Sequence, residues 1–309
     1  MSENRCHIGI KSDPIEYRYS YDWLFDLLLR HDIHYMQLGS FFEMYSLDDD
    51  YFLRLADNAR AHGVAMKSVF TSHRELGGFF TSDKAMERVA RKNYERLIDI
   101  AALVGADYAG SNPGAAYRDR EADKTAGIEC YLAHMKDLMA YAHARGLRAL
   151  TIEPMSCHAE PPSLPGEIDY MMRSLSSYHL EHRGTTVPVY LCGDISHGVA
   201  SREGTILHDN YELFAMEIPY MCEFHFKNTD RIFNKTFGFT DNELAAGIVD
   251  LERVFRMVAA GTWPVNDIIG YLEIGGPKLG RDYSDHLLES ALTGSFDNIK
   301  KSSSLVFGR

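Results

Sequence analysis

The sequence predicts an α/β fold, a closed (β/α)8 TIM barrel formed as one domain over residues 1–309. Three observations lead there. Short apolar runs alternate eight times with longer segments of helical period, the mark of successive βα units and a parallel sheet. Each apolar run is brief and nearly continuous, as a strand buried on both faces must be. Several helical segments end on a glycine just before the next run, at Gly63, Gly105 and Gly146, where a left-handed residue closes a helix.

Strand one is expected at Cys6–Lys11 and is followed by a helix at Tyr21–Arg30. The next pairs are His34–Gly39 with Asp49–Ala61, Val64–Phe70 with Lys84–Val104, and Ala106–Ser111 with Gly127–Arg145. Then come Ala149–Pro154 with Glu167–His182, Val187–Asp194 with Asp209–Tyr220, Cys222–Lys227 with Glu243–Ala260, and Ile268–Ile274 with Ser284–Ile299. Eight such pairs favour closure over a doubly wound open sheet, and no Gly-x-Gly-x-x-Gly follows strand one to mark a dinucleotide site. The Glu160–Pro165 stretch is too short for a domain linker and reads as a rigid loop over the barrel mouth.

With 45% hydrophobic and 25% charged residues the chain can bury a full core, which sets disorder aside. A formal charge of −12 disfavours partners held by neutralising many phosphates, so neither nucleic acid nor an anionic membrane is expected. No charged-then-apolar leader opens the sequence and no run of about 18 apolar residues occurs, so a cytoplasmic protein is expected. Cys6, Cys130, Cys157, Cys192 and Cys222 are odd in number and lack a Cys-x-x-Cys pair. They are expected to be buried reduced thiols, not a disulfide framework or a thiolate zinc site. Helical histidines such as His134, His143, His179 and His182 are expected on the surface.

In a barrel of this kind functional groups collect at the C-terminal strand ends. Strand five ends in Thr-Ile-Glu153-Pro, strand six in Gly-Asp194-Ile-Ser-His197, strand seven holds Glu-Phe-His225-Phe-Lys227, and strand eight holds Tyr-Leu-Glu273-Ile. Glu153, Asp194, His225 and Glu273 are thus three carboxylates and an imidazole from four adjacent strands. Buried like charges must be neutralised, and one divalent ion does so for the whole set. Oxygen-rich ligation with a single nitrogen suits Mn²⁺, Mg²⁺ or Co²⁺, with Zn²⁺ a further candidate, and leaves octahedral positions for two vicinal sugar oxygens. The plainer alternative for each residue is a polar group satisfied by hydrogen bonds or by a nearby Arg or Lys.

The order Glu153, Asp194-x-x-His197, His225-x-Lys227-Asn and Glu273, with Thr71-Ser-His73-Arg74 after strand three, resembles the xylose isomerase-like superfamily of sugar-phosphate isomerases and epimerases over all eight βα units. The resemblance implies that Glu153, Asp194, His225 and Glu273 bind a metal, and that Glu153 and Glu273 double as an acid/base pair on opposite faces of the substrate. It implies that His197 contacts the sugar near its reacting carbonyl, that Arg231 reaches a substrate oxygen, and that His73 and Lys227 also meet the substrate. It implies a homo-oligomer, a dimer or tetramer. Read from the residues alone, His73 is equally a rim residue, His197 a turn residue and Lys227 a partner of a nearby carboxylate.

Such a site serves proton removal beside a carbonyl, where an ion steadies the oxyanion and a glutamate takes the proton. A second glutamate across the planar enediolate would invert that carbon, which is 3-epimerisation of a small ketose; return of the proton to the neighbouring carbon makes an aldose-ketose isomerase instead. A sugar dehydratase or lyase and a non-catalytic sugar-binding barrel are the remaining alternatives. Ser111 and Asn112, between Gly110 and Gly114, offer amides for an anion, and Lys278 and Arg281 add cations after strand eight, so the expected partner is a sugar or a sugar phosphate.

Overall fold

The computed structural model describes residues 5–72 and 75–308. In chain order its strands are β1 (Arg5–Lys11), β2 (Tyr35–Leu38), β3 (Ala65–Thr71), β4 (Tyr108–Ser111), β5 (Ala149–Ile152), β6 (Val189–Asp194), β7 (Val199–Ala200), β8 (Ile206–His208), β9 (Met221–Phe226), β10 (Asn228–Thr229), β11 (Thr236–Phe237) and β12 (Asp267–Leu272). Eight of them, parallel, close into a barrel in the order β1-β12-β9-β6-β5-β4-β3-β2, while β7 with β8 and β10 with β11 form small two-stranded sheets. The helices are α1 (Tyr21–Arg30), α2 (Asp49–Ala61), α3 (Lys84–Val104), α4 (Lys124–Ala144), α5 (Pro165–Glu181), α6 (Asn210–Glu217), α7 (Asp241–Ala246), α8 (Leu251–Ala260), α9 (Asp282–Asp285) and α10 (Leu288–Phe307). Among the described residues no helix is long and apolar enough to cross a membrane.

Contacts divide the chain into two compact units, one of Met1–Gly39, Asp57–Ala65 and Gly193–Arg309, the other of Ser40–Ala56 and Met66–Cys192. In the first unit β2, β1, β12 and β9 lie side by side, with Lys11 opposite Gln37, Gly9 opposite Tyr271 and Tyr271 opposite His225. Strand alternation then sorts the side chains. Phe224 and Phe226 of β9 face the helices, Phe224 meeting Phe214 of α6 at 5.6 Å and Phe226 meeting Phe255 of α8 at 5.3 Å between ring centroids. Period two turns Glu223, His225 and Lys227 to the opposite face. Gly270 is required by those rings, since a Cβ there would lie 2.3 Å from Phe226 Cε2.

The single helix expected at Glu243–Ala260 is two, α7 and α8. Asn228 breaks it: its Oδ1 accepts from Val249 N at 3.1 Å and its Nδ2 donates to Glu243 O at 3.1 Å, and a Cβ on Gly247 would fall 2.1 Å from that Oδ1. Asp250 restarts the helix by accepting from Arg253 N at 3.1 Å, a side-chain N-cap. The last expected helix likewise begins later, at Leu288, and runs on to Phe307.

In the second unit β3, β4, β5 and β6 pair with Thr71, Ser111, Ile152 and Leu191 level with one another. Asp83 caps α3 by accepting from Ala85 N and Met86 N at 2.7 and 3.3 Å, and Gly105 ends it with φ +75°. The loop after β5 is tied down by bonds from Met155 N to Pro162 O and from Ala116 N to Ala159 O, both 2.8 Å. Gly110 serves the strand contact itself, because a Cβ would lie 1.9 Å from Thr151 Oγ1.

Candidate metal centre

Asp194, His225 and Glu273 meet where β6, β9 and β12 end. Glu273 follows β12 directly, and its N donates to Phe226 O at 3.0 Å, which fixes it beside the end of β9. His225, fully buried, has its Nε2 at 2.8 Å from Gln37 Oε1; that contact assigns the proton to Nε2. Nδ1 is left facing Glu273 Oε2 at 3.0 Å and Asp194 Oδ2 at 3.9 Å. Asp194 spends its other oxygen locally, Oδ1 accepting from both the N and the Oγ of Ser196 at 2.8 Å. Asp194 Oδ2 and Glu273 Oε2, the two oxygens aimed at the imidazole, are buried and make no hydrogen bond of normal geometry. The Lys227 ammonium lies within ion-pair distance of both, in the place a divalent cation would take. Asp194, His225 and Glu273 each offer one ligand atom, all within 4.8 Å of one another.

Two ammonium groups complete the charge pattern. Lys227 Nζ lies 2.7 Å from Asp194 Oδ2 and 2.6 Å from Glu273 Oε2, and Lys11 Nζ lies 2.8 Å from Glu273 Oε1 and 2.9 Å from Asp13 Oδ2. Burial by itself would push the Glu273 carboxyl up, but His225, Lys11 and Lys227 outweigh it and hold the group well below its ordinary range. Burial likewise opposes the ionised form of Asp194, and His197, Lys227 and His225 bring it below its usual range. At Asp13 burial prevails over Lys11 and the carboxyl is raised. Glu273 is therefore held as a carboxylate at neutral pH.

Glu153 is buried just after β5, its N donating to Ser111 O at 3.2 Å. His197 is buried with Nε2 3.5 Å from Asp194 Oδ2. Ser111 and Asn112 are buried at the end of β4, and Asn112 Nδ2 donates to Met155 Sδ at 3.5 Å. Arg231 is exposed in the turn between β10 and β11. Lys278 and Arg281 are also exposed, Arg281 Nη1 donating to Gly280 O at 2.8 Å. His73 and Arg74 lie outside the described residues. Lys11 and Gln37 are additional participants; Lys11 closes β1, so the strand-end rule applied to strand one as well as to strands five to eight points to it. Of the cysteines, Cys192 and Cys222 are buried as expected, while Cys6, Cys130 and Cys157 are half-buried.

A parallel eight-stranded barrel with carboxylates and an imidazole gathered at its strand ends defines a barrel protein with a candidate divalent-metal centre. The model of the xylose isomerase-like TIM barrel family matches residues 25–271, and the chain belongs to that family. No curated protein matches it in sequence. Among solved structures it is similar to a provisionally assigned xylose isomerase from Rhodospirillum rubrum, at 18% identity and a TM-score of 0.77 over 96% of this chain and 99% of the other. It is also similar to D-psicose 3-epimerase with D-tagatose from Clostridium cellulolyticum H10, at 12% identity and 0.64 over 98% and 97%. The IOLI protein with a bound zinc atom aligns at 12% identity and 0.66 over 98% and 100%. Likeness at these identities speaks for the fold.

Proposed function

We propose that the chain is a divalent-metal-dependent isomerase that epimerises carbon 3 of a small ketose or its phosphate. The observation that carries this reading is the convergence of Asp194, His225 and Glu273 on one point, to which Glu153 would add the fourth ligand. Three carboxylates and a neutral imidazole suit Mn²⁺, Mg²⁺ or Co²⁺, and Gln37 is the outer partner that orients the imidazole. When bound, the ion would polarise the carbonyl and its neighbouring hydroxyl as a Lewis acid.

The protein's own groups do the rest. Glu273, kept ionised by the Lys11 and Lys227 ammonium groups, takes the proton from the carbon beside the carbonyl. Glu153 returns one to the opposite face, and His197 holds the sugar near the reacting carbonyl. Lys227 lies between two carboxylates and counters the negative charge that develops on the enediolate oxygens. One of the solved structures of like fold compared above is a D-psicose 3-epimerase, and that supports the substrate class. The test is a panel of free and phosphorylated ketoses incubated in deuterated water with Mg²⁺, before and after chelation, followed by NMR. Deuterium at carbon 3 with formation of the epimer supports the reading. Net loss of a hydroxyl points to a dehydratase, and no ion-dependent exchange with any ketose overturns it.

A further inference from the structure

A second cluster of metal-ligating groups lies outside the strand ends, where α3 and α4 pack together. Glu87 stands in the first turn of α3, and Cys130 and His134 stand four residues apart on α4. That spacing places both α4 side chains on one helical face, one above the other. One ligand atom from each of the three lies within 4.8 Å of the others. His134 Nε2 is 3.0 Å from Glu87 Oε1, and the imidazole is steadied by Phe79, whose ring centroid is 4.6 Å away at an interplanar angle of 31°. All three residues are half-buried, so the cluster opens to solvent on one side. Lys84 Nζ, on a largely exposed arm, lies 2.6 Å from Glu87 Oε2.

We infer that Glu87, Cys130 and His134 form a second metal site, one selective for Zn²⁺ or another late first-row dication. One carboxylate and one thiolate carry two negative charges and the imidazole none, so the set neutralises a dication. Sulfur, nitrogen and oxygen from three protein groups, with a fourth position left to water, form a tetrahedral zinc donor set. The thiolate also separates this site from the one at the strand ends, whose all-oxygen-and-nitrogen donors suit harder ions. Binding displaces the Cys130 thiol proton to solvent and releases the Lys84 ammonium from Glu87 into the water to which its arm is already largely exposed. Because the ion displaces the thiol proton, occupancy rises with pH.

Metal-free full-length protein titrated with Co²⁺ tests this directly, because only a thiolate ligand gives a sulfur-to-cobalt charge-transfer band. The expected result is a band that saturates at one equivalent and persists in Glu273→Gln. It disappears in Cys130→Ser, and in His134→Ala it requires more than about 100-fold higher Co²⁺. No band in the wild type, a band retained in Cys130→Ser, or an unchanged affinity in His134→Ala overturns the site. A measurement without variants guards against misfolding: Zn²⁺ should protect Cys130 of the wild-type chain from alkylation, read by peptide mass spectrometry. An unchanged alkylation rate at Cys130 rejects the inference equally.

Discussion

Replacing Glu273 by Gln keeps the side chain's size and removes one charge from a cluster in which Lys227, Lys11 and His225 lie at 2.6, 2.8 and 3.0 Å. Breaking a buried ion pair by removing one partner costs about 3–5 kcal/mol when the other charge is stranded. Here neither ammonium is stranded, since Lys11 keeps Asp13 at 2.9 Å and Lys227 keeps Asp194 at 2.7 Å. A loss of about 2 kcal/mol is expected, worth about 4–8 °C in the melting temperature at the 2–4 °C per kcal/mol of larger chains. Turnover should fall further, by about 10²–10⁴-fold for a lost acid/base group, equivalent to about 3–5 kcal/mol of transition-state stabilisation. Thermal unfolding with chelator present isolates the first quantity, and ketose epimerisation with saturating Mg²⁺ the second, with bound metal measured in the same samples. A variant that still holds metal and keeps turnover within about tenfold of the wild type would refute the two-glutamate mechanism.

Gln37→Leu removes the acceptor that orients His225 and should weaken metal binding at the strand ends by about 10–100-fold, measurable by calorimetric titration. Saturating that site at about 100 times the dissociation constant should stabilise the fold by about 2.7 kcal/mol, so the melting temperature should climb with metal concentration and return on chelation. In the metal-free protein the lowered carboxyls of Asp194 and Glu273 contribute stability that is complete above their ordinary values of 3.8 and 4.5 and is lost as pH falls below them. Raised Asp13 acts in the opposite sense, and a melting temperature that stays flat or rises on acidification below pH 4 would mean that it outweighs the pair. Gly270→Ala forces a methyl into the Phe224 and Phe226 rings and should cost about 1–3 kcal/mol, read by denaturant unfolding.

Much of the barrel is legible residue by residue because its signals are local. The helices at Tyr21–Arg30, Asp49–Ala61 and Lys84–Val104 have the bounds their periodicity and caps predict, and Gly63, Gly105 and Gly146 take positive φ as the helix-stop reading requires. The α7/α8 break was hidden because its cause, the side chain of Asn228, arrives from β10, outside the helical segment. Gln37 was hidden for a similar reason, as was the carboxylate that Lys11, legible at the end of β1, would pair with. Glu273 and His225 become neighbours of Lys11 and Gln37 only when β1 pairs with β12 and β2.

By itself, the sequence determined the alternation of buried strand and amphipathic helix, and with it which ionisable residues stand at strand ends. Those are properties of a few consecutive residues, set by side-chain period and by the helix-ending glycines. Only the tertiary structure decided how charge is balanced: that Lys11 and Lys227 share Glu273, that Gln37 holds His225, and that Glu87 of α3 meets Cys130 and His134 of α4. Electrostatic partners are chosen by distance in space, and distances between groups tens to hundreds of residues apart exist only once the strands and helices have packed.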